Sequence, residues 1–322
     1  MNLRRVTAII SALVLVFFGS IINAGAASTN GLTSNGLSIS PVRTDLTIAP
    51  GQSKTVLMYI TNPANEAIKV RVIANDFKPV GQSGSPQLIL GSDANNAHGL
   101  ARFIEPVNDF TVPAGQQGEV KIVINIPKNT PGGGYYAAIR FAPTGLNSSS
   151  NLTLSANVAS LILVKVTGPG LKQQLSVSGF NVTQDGNPGN VFFSPNNIKV
   201  NVGFSNSGNV QEAPLGKIEV LSGNKILSVQ QINNPLSPGN VLPGSIRQFS
   251  TSLKGLGSFG KYNIEGFFSY GNNSTILTAS KTVYVIASWF ILIIIVFIVL
   301  IVLAILYWLI RRHKNRIQSQ GS

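Results

Sequence analysis

"NTPGGGYYAAIRF", Asn129 to Phe141, sets three glycines and two tyrosines in front of an apolar run. A phosphate-binding loop would place such glycines between a strand and a helix whose first amides face the anion. Here Pro131, Gly132, Gly133 and Gly134 lead into "YYAAIRF", which alternates and carries aromatics, and no Gly-Lys-Ser/Thr follows. The glycines therefore read as a turn and Tyr135 to Phe141 as the strand it opens. That reading turns the chain away from nucleotide chemistry and towards an all-β binding protein.

The same alternation of apolar and polar residues runs outward on both sides. "SISPVRTDLTI", "KTVLMYIT", "IKVRVIA", "EVKIVINI" and "NVASLILVKV" all have the period of half-buried strands, separated by turn residues. "GPGL", Gly168 to Leu171, breaks the pattern and marks a domain boundary. A second series follows, from "QLSVSGFNV" to "ILTASKTVYVI", with seven candidate strands in a stretch typical of an immunoglobulin-like sandwich. The expected architecture is all-β: one sandwich over 37–167 and a second, immunoglobulin-like, over 171–286. "IAPGQSKTVLMYI", "VPAGQQGEVKIVI" and "LPGSIRQFSTSL" repeat a proline and a nearby glycine before a strand, and each reads as structural punctuation.

The two ends carry different signals. Arg4 and Arg5, the apolar run Val6 to Ile22 and the small residues of "NAGAAS" read as an export signal over 1–26, with a polar linker over 27–36. At the other end no charge falls between Lys281 and Arg311, and Ala287 to Leu309 gives 23 mostly aliphatic residues. At about 1.5 Å per residue such a helix crosses a bilayer core. The membrane segment is set at 287–310, with Trp289 and Trp308 at its two interfaces. The basic tail 311–322, led by Arg311 and Arg312, is then cytoplasmic by the positive-inside rule, and the domains are extracellular.

Removing the ends changes the charge. Of 24 Lys and Arg, two lie in the signal and four in the tail, so 18 face 11 Asp and Glu elsewhere, a net of about +7. These charges are dispersed, with no basic run or motif for nucleic acid. The chain has no cysteine, so an exported domain of this kind relies on core burial rather than disulfides.

Little in the sequence suggests catalysis. His98 is the only histidine before the membrane segment, and it reads as a solvated loop residue in "SDANNAHGL". Asp93, Asn95 and Asn96 of that loop offer oxygens but lack the spacing and final glutamate of an EF-hand calcium loop. Asp76 and Glu105 lie near aromatics without any glycosidase signature. No enzyme activity, cofactor or metal is expected. A sugar-binding surface needs only aromatic faces and a few polar groups, for which Phe77, Tyr135, Tyr136 and Arg140 are the candidates. Alternation sends Tyr135 and Tyr136 to opposite faces, so one of them is expected in the core. "LPGSI" at Leu242 lacks the Thr-Gly and the position of a sortase signal.

"LSISPVRTDLTIAPGQ", "VNDFTVPAGQQGEVKIVINIPKNTPGGGYYAAIRF" and "ASLILVKVTGPG" resemble the N-terminal domain of the WxL-interacting proteins of Gram-positive bacteria. "FSNSGNV" and "NVLPGSIRQF" extend the likeness more loosely into the second half. The resemblance implies a membrane-anchored surface protein with two immunoglobulin-like sandwiches. It also implies contact with peptidoglycan through the first and with a surface protein through the second. The rival expectation is a scaffold or chaperone-like subunit of a surface assembly that acts by strand addition, since an open sandwich edge can accept a strand.

Overall fold

The alternating runs fold as strands. In the computed structural model, which describes residues 37–90, 96–144, 158–271 and 275–319, they form two β-sandwiches followed by one long helix. In the first sandwich, one sheet orders β1 (Ser38–Ser40), β3 (Ser53–Thr61) and β7 (Gln117–Asn125). The sheet facing it orders β2 (Arg43–Ile48), β9 (Val158–Val166), β8 (Gly133–Thr144) and β4 (Ile68–Val80). Strands β5 (Ser85–Leu88) and β6 (Phe110–Val112) both pair with β4. The chain changes sheets between its first two strands: β1 is antiparallel to β3, whereas β2 is parallel to β9.

The second sandwich opposes β11 (Asn187–Pro188), β10 (Leu175–Gln184), β13 (Ile198–Asn206) and β16 (Ile246–Ser252) to a larger sheet. That sheet orders β12 (Val191–Phe192), β18 (Thr275–Ile286), β17 (Phe259–Tyr270), β14 (Leu215–Ser222) and β15 (Lys225–Ile232). One residue after β18, helix α1 (Ser288–Ser319) begins, and its Ser288–Leu309 portion has the length and mean hydropathy, 3.7, of a membrane span. The segments read as export signal and linker lie outside the described residues.

Both cores follow the period of two. Met58 and Ile60 of β3, and Ile122 and Ile124 of β7, point at Ala137, Ile139 and Phe141 of β8, and at Ile162 and Val164 of β9. In the second core Phe204 of β13 sets its ring edge-on to Phe249, at 5.8 Å, and to Phe268, at 5.1 Å. Full burial of each such side chain stabilises by about 1.5–3 kcal/mol, which lets a chain without disulfides hold together.

β8 departs from this pattern, and the departure organises the molecule. Every residue from Gly133 to Ile139 is buried, so both faces of the strand are covered. The inner face belongs to the first core. The outer face, Tyr136 and Ala138, packs with Phe77 of β4, Leu163 of β9 and Leu242 from the connection between β15 and β16. The second sandwich is therefore the lid on the first, and Gly36–Ser322 forms one compact unit.

The glycine run is the seat of that lid, which corrects its reading as a turn. Gly133 and Gly134 are strand residues paired with Val166 and Lys165, and neither has a positive φ. What they supply is room. A Cβ on Gly132 would stand 2.6 Å from the Gly168 carbonyl oxygen, and one on Gly133 3.2 Å from the Asn209 carbonyl oxygen. One on Gly134 would overlap the Tyr136 hydroxyl. Through this gap Gly134 N donates to Asn209 O at 2.7 Å, and Asn209 Nδ2 donates to Gly132 O at 3.0 Å. "GPGL" is held on both sides: Gly132 N donates to Pro169 O, and Asn209 Nδ2 also donates to Gly170 O.

The three proline-glycine repeats are turns of one kind. Gln52 N donates to Ala49 O, Gln116 N to Pro113 O and Ser245 N to Leu242 O, with Gly51, Gly115 and Gly244 at positive φ. The second and third repeats are each locked by a buried asparagine at a strand end. Asn62 Nδ2 donates to Glu66 O and Val112 O, and Asn206 Nδ2 donates to Val210 O and Val241 O. In each case the asparagine Oδ1 also accepts from the amide two residues on. The two sandwiches thus share one local device, and in the second it shapes the loop that meets the glycines.

Gly134→Ala is expected to destabilise the full chain in detergent by about 1–3 kcal/mol, the usual cost of an extra carbon in a packed site. Adding Tyr136→Phe removes the overlapping hydroxyl and should return part of that loss. Thermal unfolding of both single variants and the double variant measures the coupling. Strictly additive losses would mean that the glycine answers to something other than this hydroxyl.

Candidate binding surfaces

The residues proposed for sugar contact do not form a platform. Tyr135 and Tyr136 do point to opposite faces of β8, but both are buried, at 5% and 2% exposure, as is Phe77 at 4%. Tyr135 packs edge-on to Phe103 at 5.6 Å and donates its hydroxyl to Pro131 O. Tyr136 lies against Phe77 and His98, each at 5.9 Å, and donates to Gln211 Oε1 of the second sandwich at 3.1 Å. Burial pushes both phenols up; for Tyr135 the Arg102 charge opposes the rise, and for Tyr136 the backbone of Gln211 opposes it while the Glu212 charge adds to it. None of the three rings offers a face to a ligand. Arg140 is half-buried and donates from Nε to Asn75 Oδ1 at 2.9 Å.

His98 is not a solvated loop residue. Its Nδ1 lies 2.8 Å from Gly134 O and its carbonyl accepts from Tyr136 N, so its loop extends the sheet where β4 turns away from β8. Asp76 serves the same corner, accepting from Ala101 N at 2.8 Å, while Glu105 accepts from Asn125 Nδ2 at 2.6 Å. Asp93 and Asn95 lie outside the described residues; Asn96 Oδ1 accepts from His98 N. Among the described residues no three His, Cys, Asp or Glu side chains gather as a metal site. Trp289 and Trp308 stand exposed on α1, whose backbone continues through Arg311 and Arg312.

Between the sandwiches lies a cleft of about 390 Å³ that the sequence did not reveal, because its walls come from distant segments. Arg43 pairs with Asp45 at 2.6 Å and donates to Pro238 O at 2.7 Å, and Asn240 Nδ2 donates to Asp45 Oδ1 at 3.0 Å. Deeper in, Glu212 is 4% exposed. It accepts from Gln173 Nε2 at 2.6 Å and from Gly271 N at 3.1 Å. Burial raises its carboxyl pKa, against the opposing pull of Gln173, Lys165 and Gly271. These polar groups are mostly spent on one another and bind the two sandwiches together.

The second sandwich offers a different surface. β10 and β18 form the same side of its two sheets and face each other there. At one end the connection through β11 and β12 crosses between them: β11 pairs only with Thr183 and Gln184 of β10, and β12 only with Tyr284 and Val285 of β18. Beyond it, among the described residues, no strand pairs with β18 on the side away from β17. Tyr284 N donates outward to Asn190 O, so alternation turns the amides of Thr282, Ser280, Thr278 and Ile276 to that open side. Inside the seam, Val177, Phe180, Leu277 and Ala279 are only partly buried. At its closed end is a cavity of about 340 Å³ bordered by Val182, Pro188, Val191 and Lys281.

Other edges are less available. β2 lies along the cleft, and Gln82 O, in the turn after β4, accepts from Gln248 N on β16. The rim of β7 receives Glu105 N at Val123 O and exposes Gln117, Glu119 and Lys121, the charged blunting common on edge strands.

A raised carboxyl pKa means that Glu212 favours the fold while protonated and that this contribution is lost as pH rises through its folded-state value, above 4.5. The melting-temperature difference between Glu212→Gln and the parent should therefore shift in the variant's favour between about pH 4 and pH 7. A difference that is flat with pH would contradict the burial of this charge.

No protein-family model and no curated protein sequence matches the chain. Among solved structures, the class 5 fimbriae chaperone CfaA is similar over 76% of this chain and 99% of its own, at 16% identity and a TM-score of 0.40. The E. coli chaperone DraB matches over 76% and 97%, at 15% identity and a TM-score of 0.34. The CsuC–CsuE chaperone–tip adhesion subunit complex of Acinetobacter baumannii matches over 76% and 97%, at 13% identity and a TM-score of 0.37. Likeness at these scores bears on neither the partner nor the activity of this chain.

Proposed function

We propose that the chain is a membrane-anchored, non-catalytic binding protein that takes up an extended segment of a surface protein by strand addition. The open edge of β18 from Ile276 to Thr282 carries this reading. An incoming strand would gain main-chain hydrogen bonds from the outward amides, while its alternate side chains enter the seam beside Val177, Phe180, Leu277 and Ala279. The chemistry favours a partner segment with alternating apolar residues. The helix starting one residue beyond β18 supports anchoring, and the basic tail supports an extracellular position for the sandwiches.

Contact with peptidoglycan, implied by the resemblance to WxL-interacting proteins, has weaker support. It would have to rely on dispersed cations, since Phe77, Tyr135 and Tyr136 are packed inside. Such binding would fade with salt over a screening length of about 8 Å at 0.15 M.

Ser280→Pro separates the readings. Its amide lies on the open side, so proline there removes no bond to β17 and the melting temperature should stay within a few degrees of the parent. Capture of surface proteins by the full chain should fall about tenfold or more, the worth of roughly 1.4 kcal/mol. In the parent, hydrogen exchange at Ile276, Thr278 and Ser280 should slow once partner is bound. Undiminished capture by Ser280→Pro would refute strand addition at this edge, and retention on washed wall sacculi instead would favour the wall polymer.

A further inference from the structure

The base of the second sandwich, where β18 gives way to α1, carries an apolar surface of its own. Phe259 is 63% exposed, Phe193 54% and Trp289 56%, and Val191 and Tyr284 stand exposed beside them. Soluble β-proteins seldom leave several large rings clustered in water. This cluster is also tied to the start of the helix. Ser288 donates both its amide and its hydroxyl to Phe193 O, each at 2.9 Å. Ala287 N donates to Ser258 O at 2.8 Å, and the Phe259 ring lies 5.2 Å from that of Phe290.

These contacts leave no stalk between sandwich and helix. Ser288–Leu309 is 22 residues, which at about 1.5 Å each matches the roughly 30 Å hydrocarbon core. With that stretch in the bilayer, Ser288 sits at the hydrocarbon boundary, and groups bonded to it sit in the headgroup layer. Phe193 and Phe259 then occupy the depth where interfacial aromatics are favoured. Charge agrees. Lys199 at the start of β13, Lys254 just after β16, Lys261 in the first turn of the β17 ladder and Lys225 at the start of β15 are all exposed at this end. Asp185, in the turn after β10, is the acid beside them.

We infer that this base is a lipid-binding surface: Phe193 and Phe259 enter the interface beside Trp289, and the surrounding lysines meet anionic headgroups. The second sandwich then stands on the membrane in a set orientation, with the open edge of β18 rising away from it. The inference rests on α1 spanning the bilayer, and not on what binds the edge.

The absence of cysteine makes the test clean. Full-length chains with a single Phe193→Cys, Phe259→Cys, Phe297→Cys or Leu236→Cys are labelled with an environment-sensitive fluorophore and reconstituted in phosphatidylcholine–phosphatidylglycerol vesicles. Lipids bearing a shallow quencher should quench positions 193 and 259 strongly and leave 236, in the connection after β15, unquenched. A deep quencher should reach 297. Adding Lys254→Glu and Lys261→Glu should weaken quenching at 259. If 297 is quenched while 193 and 259 behave like 236, the base does not touch lipid and the inference falls. Quenching at 259 unchanged by the lysine reversals would remove its electrostatic half. A label at 297 that no lipid quenches would instead overturn the spanning helix itself.

Discussion

The molecule depends on the burial of β8 from both sides. An outer face bearing Tyr136 and Ala138, with Phe77 and Leu163 beside it, cannot be left in water without a cost of several kcal/mol. Leu242 and the loop around Asn209 cover it. Close approach is possible only because Gly132, Gly133 and Gly134 carry no side chains. Once this seam is closed, the hydrogen bond of Tyr136 to Gln211 satisfies a hydroxyl that the packing has taken from water, and the partly exposed pair of Arg43 and Asp45 borders the cleft. Two sandwiches that could have been beads on a string become one body.

That fusion changes what the rest of the surface can do. A jointed pair of domains could close around a ligand; a fused pair presents fixed edges. The edges that meet the seam are used up by it, and the β7 rim is blunted by charge. The side of the second sandwich where β10 and β18 part stays open, as does the outer edge of β15 among the described residues. The crossing through β11 and β12 closes the lower end of that side and leaves the upper end unpaired among the described residues. A binding role by main-chain pairing suits an open edge better than an aromatic platform built on Phe77, Tyr135 and Tyr136, all of them buried.

The same continuity reaches the candidate membrane span. β18 is at once the open edge, the wall of the seam and the strand that leads into α1. Hydrogen bonds from Ser288 to Phe193 O and from Ala287 to Ser258 O make the junction part of the sandwich. The distance of the edge from the start of that helix is therefore set by strand geometry, at about 3.3 Å per residue, rather than by a flexible linker.

The sequence alone determined the elements that depend on neighbours along the chain. A period of two marks which side of each strand is apolar, so the all-β class, the cores around Ile122 and Phe204 and the three proline-glycine turns were legible from it. So was the apolar stretch of α1, whose length answers only to bilayer thickness. The fate of the second face of β8 was not legible. Tyr136 alternates as an exposed ring should, and its cover comes from Gln211, 75 residues away, and from Leu242 beyond it. For that reason the glycines read as a turn, His98 as a solvated residue, and Phe77 and one of the two tyrosines as candidates for a sugar-binding surface. Local pattern states what a residue prefers, whereas the distant segment that occupies the space beside it is chosen by the packing of the whole chain, and only the tertiary structure decides that.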